Sequence, residues 1–335
     1  MNVYFTVDTE SSMAGAWNHP GRFPLPAEKL AFCRSGSSDS GIGLLSRILG
    51  EFGFRATYFV ETLLAAVNGV QDLVPVFEYL LKQGQDVQLH VHPAYHFFSA
   101  SLRARAEGKS YQRPDPPDFI GALAEAQQVE LLSEGIDYFR RLAGFRPVAF
   151  RAGCFAASRA TLRALAKLGL SYDSSYNPCY PEWSFAGEPL TPNRVSRIEG
   201  VWEFPVTVAK TPLPEGCAGF KHADPSAMSV AELRQMLEAG VAGGQRHFVI
   251  VFHSFSATKS KDLFYNQIRP DRVVVARLRR LVEYLARNPD KFRVTTFGDL
   301  TPGPLDEGAA PIVSLDLMNA GIRKFVQGVN RVYWI

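Results

Sequence analysis

Three of the chain's seven histidines, His90, His92 and His96, fall in one stretch, VQLHVHPAYH, from Val87 to His96. Val87, Leu89 and Val91 alternate with Gln88, His90 and His92, the two-residue period of a strand, so His90 and His92 share a face. Pro93 ends that strand, because proline has no amide hydrogen for the ladder. Two imidazoles side by side suit a divalent metal, zinc in particular, with a carboxylate as a common third ligand. The competing reading makes both ordinary strand residues, one of them hydrogen-bonded in the core. Asp8 and Glu10, two carboxylates one residue apart, follow the β-rich run Asn2 to Val7. Arg151, Asp173 and His253 also stand where apolar runs end.

Such a set has a definite chemistry. A metal held by a carboxylate and two histidines polarises a carbonyl and lowers the pKa of a bound water. A second carboxylate can take the proton from that water, and a further histidine can give one to a leaving amine. An arginine near the base holds its charge and orientation. The combination is metal-assisted hydrolysis of an amide or ester.

The rest of the chain must bring these residues together. Helical spacing is seen at Ile42, Leu45, Ile48, Leu49 and Phe52, and again at Leu73, Val76, Phe77, Leu80 and Leu81. It recurs at Val129 to Leu142, at Ala157 to Lys167, at Ser229 to Ala239 with a Ser229–Glu232 capping box, and at Val274 to Leu285. Strands are predicted between them at Ala56–Val60, Val87–His92, Pro147–Phe150, Leu170–Tyr172, Glu203–Val208, His247–Phe252 and Arg293–Thr296. The loops from Glu10 to about Ser40, from Phe97 to Ile120 and from Asn177 to Asn193 read as irregular. Strand and helix alternate seven or eight times, which predicts a parallel α/β fold. No GxGxxG or GxxxxGK[ST] follows any strand, so a nucleotide fold lacks its signature. The polar residues singled out all sit at C-terminal strand ends, and in a closed α/β barrel those ends converge on the catalytic face.

At 335 residues, 46% apolar and 21% charged, the chain can bury a substantial core. A net charge of +3 gives no case for nucleic acid or a membrane surface. No run of about eighteen apolar residues predicts a membrane span. Nothing at the N-terminus reads as a signal peptide, which predicts a cytoplasmic protein. Cys33, Cys154, Cys179 and Cys217 form no CxxC pair and predict reduced thiols. The segment from Thr301 lies beyond the repeating pattern and ends in VYWI. It is expected to pack on the outside or to mediate an oligomer contact.

Over roughly Asn2 to Leu300 the sequence resembles the polysaccharide deacetylases with a NodB-type homology domain, carbohydrate esterase family 4. FTVDTE (Phe5 to Glu10) is similar to the family's first motif and GQDVQLHVHP (Gly84 to Pro93) to its metal-binding motif. FRAGCF (Phe150 to Phe155) resembles the third motif, whose arginine contacts the base, and VFHSF (Val251 to Phe255) the last, whose histidine is the general acid. FRATYFV (Phe54 to Val60) and YDSS (Tyr172 to Ser175) are similar to intervening strands. The resemblance implies a distorted (β/α)7-type barrel with inserted loops, formed by residues 1–300, and a C-terminal extension, 301–335. It implies Asp8 as base, Arg151 as its partner, His253 as acid, and Glu10, His90 and His92 around a divalent metal, zinc by expectation. It implies removal of an N-acetyl group from an amino sugar or related amide.

The departures are specific. The family's adjacent aspartates become Asp8 and Glu10, and the reverse assignment of base and ligand stays open. Histidines usually four apart become His90 and His92, with Ala94 at the expected place and His96 as the other choice. Cys154 stands where the third motif has proline. These variations resemble a divergent branch named for WalW, associated with bacterial surface glycans, and a surface-glycan precursor is the expected partner. Trp17, Phe155, Tyr176 and Trp183 are candidates to stack on a sugar. The alternatives are hydrolysis of a non-sugar amide and an inactive glycan-binding relative.

Overall fold

A computed structural model describes residues 1–333 except 37, 189, 214–218 and 302. The expected thiol of Cys217 and the last two residues of VYWI lie outside the described residues.

The main sheet has nine strands: β1 (Asn2–Thr9), β2 (Thr57–Glu61), β3 (Asp86–Val91), β4 (Ala149–Ala152), β5 (Tyr172–Asp173), β6 (Ser196–Ile198), β7 (Val201–Glu203), β8 (His247–His253) and β9 (Arg293–Thr295). Their order is β8-β1-β2-β3-β4-β5-β7-β6, and β9 pairs with the first half of β1. Every pairing is parallel except the β6–β7 hairpin. The curled sheet is closed by irregular backbone: Thr207 N donates to Val249 O (3.2 Å) and Val251 N donates to Ala223 O (3.0 Å). The result is the distorted α/β barrel expected from the strand–helix alternation.

Period-two alternation sorts each strand. Val3, Phe5 and Val7 of β1 and Val87, Leu89 and Val91 of β3 join the large apolar layer under the outer helices. The opposite face of the same strands fills the barrel. Its floor is aromatic, with Tyr4, Phe59, Tyr172, Phe204 and Phe297 packed together. Ring centroids there lie 5.0 to 5.6 Å apart for Phe204–Phe297 and Tyr4–Phe204. Above it, Thr6 and Arg151 form a polar layer, and Asp8 and His90 stand at the mouth.

The helices are α1 (Ile42–Gly50), α2 (Val74–Lys82), α3 (Pro93–Ala106), α4 (Glu125–Ala143), α5 (Arg159–Lys167), α6 (Val230–Ala242), α7 (Arg272–Ala286) and α8 (Leu317–Tyr333), besides short turns. The Ser229–Glu232 box caps α6 reciprocally. Three expectations are corrected. Residues 97–106 are helical: Pro93 occupies the first turn of α3, where its fixed φ and missing N–H suit a helix start. Ala27–Phe32 forms a short helix inside the supposed loop. Glu203–Val208 is not one strand, because Pro205 interrupts the ladder and pairing resumes only at Val208–Lys210.

Helix α8 is held through polar residues. Arg323 Nε donates to Glu232 Oε1 (3.0 Å), both side chains buried, and Asn330 Nδ2 donates to Asp271 Oδ2 (3.0 Å). Its outer side leaves Met318, Ile322, Phe325 and Val332 exposed. No helix among the described residues is long and apolar enough to cross a membrane.

Candidate active site

Parallel register assembles the site. Asp8 is the register partner of His253 across β1 and β8, and His90 is that of Glu61 and of Arg151 across β2, β3 and β4. Partners in a parallel pair point to the same side of the sheet, so these side chains enter the barrel mouth from adjoining strands.

Arg151 is completely buried and spends its donors inside the barrel. Nη1 donates to Asp8 Oδ1 (2.7 Å) and Thr6 Oγ1 (2.8 Å), Nη2 to Ser174 Oγ (2.8 Å) and Nε to Ser174 O (2.8 Å). Its guanidinium lies 4.5 Å from the centroid of the Phe59 ring. The second oxygen of Asp8 faces the cavity, 4.0 Å from His253 Nε2, and Glu10 Oε1 is 3.9 Å from the same nitrogen.

Glu10 meets both predicted histidines. Its Oε2 is 2.5 Å from His92 Nε2 and 3.3 Å from His90 Nε2. The two imidazoles are edge to face with centroids 4.9 Å apart. His90 Nδ1 lies 2.8 Å from Arg151 O, and His92 Nδ1 lies 2.6 Å from Asp118 Oδ2. Each ring therefore has its Nδ1 committed to an acceptor and turns Nε2 toward Glu10. Histidines that hold metals show this pattern, with the remote nitrogen fixed by a carboxylate or carbonyl. One ligand atom from each of Glu10, His90 and His92 lies within 4.8 Å of the others. Two imidazole nitrogens and a carboxylate at that spacing fit a divalent cation. Burial pushes the Glu10 carboxyl up, but the His92 charge and the hydrogen bonds from His90 and His92 outweigh it and hold the group well below 4.5.

His96 takes no part. It sits on the first turn of α3 and pairs with Glu134 on α4 (2.6 Å). A strand spacing of two keeps His90 and His92 on one face, whereas the turn after Pro93 swings His96 away. Asp173 is buried but does not reach the donors. It accepts from Ser175 Oγ (2.6 Å), which in turn accepts from Ala152 N (2.9 Å) beside Arg151.

Three supporting residues went unread in the sequence. Asp118, from the proline-rich loop, orients His92 and accepts from Ala94 N (3.2 Å). Its only sequence signal is an acid in an irregular segment after the histidines. Glu61, at the end of β2, accepts from Leu63 N (2.5 Å) and from His92 N, fixing the backbone where the strand ends. Burial pushes its carboxyl up to about 8. Gly153 leaves room for His92: a Cβ there would stand 2.5 Å from Nδ1. Cys154 and Phe155 next to it adopt left-handed φ of 54° and 58°, backbone strain of a sort that gathers at functional sites.

Of the candidate aromatics, Phe155 and Trp183 join Tyr180 and Phe119, which the sequence did not single out, in a continuous stack with centroids 5.3 to 5.9 Å apart. Tyr176 instead packs edge-on against Phe185.

No family model matches the chain, and no curated protein matches its sequence. Solved structures do. A chain from Mycobacterium smegmatis assigned as a polysaccharide deacetylase superposes with a TM-score of 0.50 at 18% identity, covering 91% of this chain and 93% of that one. A family 4 carbohydrate esterase from Streptomyces lividans in complex with acetate gives 0.42 at 15% identity, over 94% and 98% of the two chains. The Puue allantoinase gives 0.49 at 14%, over 89% and 88%. The first superposition spans nearly the whole of both chains, so this chain has the polysaccharide deacetylase fold.

Proposed function

We propose that this chain is a metal-dependent hydrolase that removes an N-acetyl group from an amino sugar or glycan precursor. The observation that carries the reading is one cluster of side chains: an arginine-braced carboxylate, a Glu–His–His donor set and a further imidazole within about 4 Å of both acids. A divalent cation bound by Glu10, His90 and His92, zinc by its taste for imidazole, supplies Lewis acidity toward the acetyl carbonyl and toward water.

The chain's own groups do the rest. Asp8 accepts the proton of the attacking water through the oxygen that Arg151 leaves free, and Arg151 fixes the carboxylate against rotation. His253, across the cavity, donates a proton to the departing amine nitrogen as the C–N bond breaks. Acetate and the free amino sugar result. The Phe155–Tyr180–Trp183–Phe119 stack offers apolar ring faces of the kind on which sugars lie.

Residues 1–300 are proposed as the catalytic barrel and 301–335 as its extension, assigned to the branch named for WalW. Free thiols at Cys33 and Cys154 support a reducing, cytoplasmic compartment. The exposed stripe of Met318, Ile322, Phe325 and Val332 on α8, at spacings of four, three and seven, supports contact between copies.

The test is acetate release from N-acetylated amino sugars, with and without chelator. Release that stops on chelation and returns with zinc supports the reading. Metal uptake with no release from any N-acetyl sugar overturns it in favour of an inactive relative or a non-sugar amide.

A further inference from the structure

A cavity of about 530 Å³ is lined by segments that follow the C-terminal ends of β1 and β3, the strands that carry Asp8 and His90. It is walled by two segments. One is the loop after Glu10, carrying Trp17, His19, Arg22 and Phe23. The other is the end of α3 and the loop after it, carrying Phe98, Arg105, Lys109, Tyr111 and Arg113.

Both segments lead straight from the candidate active site. His92 precedes α3, and Phe98 lies six residues along, roughly 9 Å of helical rise. Arg113 is five residues before Asp118, which holds His92. Aromatic contacts close the walls on each other: Trp17 meets Phe98 edge-on at 5.1 Å, and the Arg113 guanidinium lies 5.3 Å from the Trp17 ring centroid.

The charge of this cavity is one-sided. Four cations and a histidine line it and no carboxylate does. Lys109 is shared with Glu107 (2.7 Å), but Arg22, Arg105 and Arg113 form no ion pair among the described residues. Three arginines gathered around a concave aromatic surface without counter-charge repel one another, and an anion relieves that repulsion. Arginine forks match the oxygens of a phosphate ester better than a lone carboxylate, and aromatic faces accept the flat or apolar part attached to it.

We infer that this cavity binds the phosphate or diphosphate of a substrate whose acetamido sugar reaches the Glu10–His90–His92 centre. The inference rests on the deacetylase reading for the sugar end, but the anion site stands on its own residues. A neutral polysaccharide offers nothing for these arginines. A sugar ester of a nucleoside diphosphate or of a prenyl diphosphate does, and both share the diphosphate.

The experiment is calorimetric titration of the metal-free, chelator-treated protein with inorganic pyrophosphate, so that binding at the metal cannot contribute. Binding is expected, weakened by salt, and weakened about tenfold or more in the double variant Arg105→Gln, Arg113→Gln. Both side chains are exposed, and the circular dichroism and melting temperature of the variant check its fold. Arg105→Glu gives a second reading with one change. Competition by uridine diphosphate assigns a nucleotide-linked sugar. Competition only by vesicles carrying a prenyl diphosphate assigns a lipid-linked one. No pyrophosphate binding, or equal affinity in the folded double variant, overturns the site. Pyrophosphate binding without acetate release from any sugar removes the deacetylase reading and leaves the anion site. Release from neutral sugars without pyrophosphate binding does the reverse.

Discussion

Arg151 reaches across the barrel to Asp8, 143 residues away in sequence, and closes a 2.7 Å ion pair in which neither partner is solvent-exposed. Breaking a buried pair by removing one partner leaves an uncompensated charge and costs about 3–5 kcal/mol. Arg151→Met is therefore expected to lower stability by that order, read from urea unfolding. Asp8→Asn keeps the shape of the side chain and the proposed metal donors but removes the proposed base. Turnover should fall about 100- to 10,000-fold while zinc still binds. Loss of zinc in Asp8→Asn would make Asp8 a ligand and hand the base role to Glu10.

In the proposed centre Asp118 acts through His92, whose Nδ1 it holds. Removing a partner that orients a ligand costs about 10- to 100-fold in metal affinity. Asp118→Ala is expected to show that loss in competition with a chromophoric chelator, and His92→Ala a larger one. His96→Ala should bind metal like the parent, since His96 is occupied with Glu134. Parent-like affinity in His92→Ala, with loss in His96→Ala, would transfer the ligand role to His96.

Glu203 and Asp173 are register partners on β7 and β5, both buried. Burial and the neighbouring Asp173 charge raise the Glu203 carboxyl well above 4.5, which favours its protonated form in the folded chain. Its Oε2 has no acceptor role filled, and a proton there can be donated to Asp173. A raised acid stabilises the fold below its unfolded value and loses that contribution as pH rises toward the folded value, at about 1.4 kcal/mol per pH unit for one proton. Urea unfolding at pH 5 and pH 7 should therefore show a steeper loss for the parent than for Glu203→Gln. Identical slopes would mean that Glu203 is ionised when folded.

The frame of the site was readable because parallel strands leave long, unambiguous patterns. Apolar alternation placed His90 with His92, and Asp8, Arg151 and His253 each closed a strand that the pattern had located. What failed was local. Helix α3 has no single apolar stripe: Pro93, Ala94, Tyr95, Phe98 and Ser99 are buried, while Phe97, Ala100 and Leu102 are only half-buried on its other sides. A proline that ends a strand also begins this helix, and the two roles leave the same mark. Asp118 and Glu61 were invisible for another reason: each matters through one backbone or ring nitrogen, and no periodicity records a single hydrogen bond. The cationic cavity escaped as well, since its arginines come from a loop and from a helix end with its following loop, about 80 residues apart.

Gly153 offers a test of whether His92 is held as tightly as these contacts imply. The added methyl of Gly153→Ala would stand 2.5 Å from His92 Nδ1, below any real contact, and the ring cannot retreat without leaving either Asp118 or Glu10. Overpacking of this kind costs about 1–3 kcal/mol. The strain should fall on the imidazole, a side chain 12% exposed, rather than on β4. Metal affinity is then expected to drop about tenfold or more, with the melting temperature only slightly lowered. A folded Gly153→Ala protein that binds metal like the parent would show that His92 is free to move and that the Glu10–His92 contact does not define the centre.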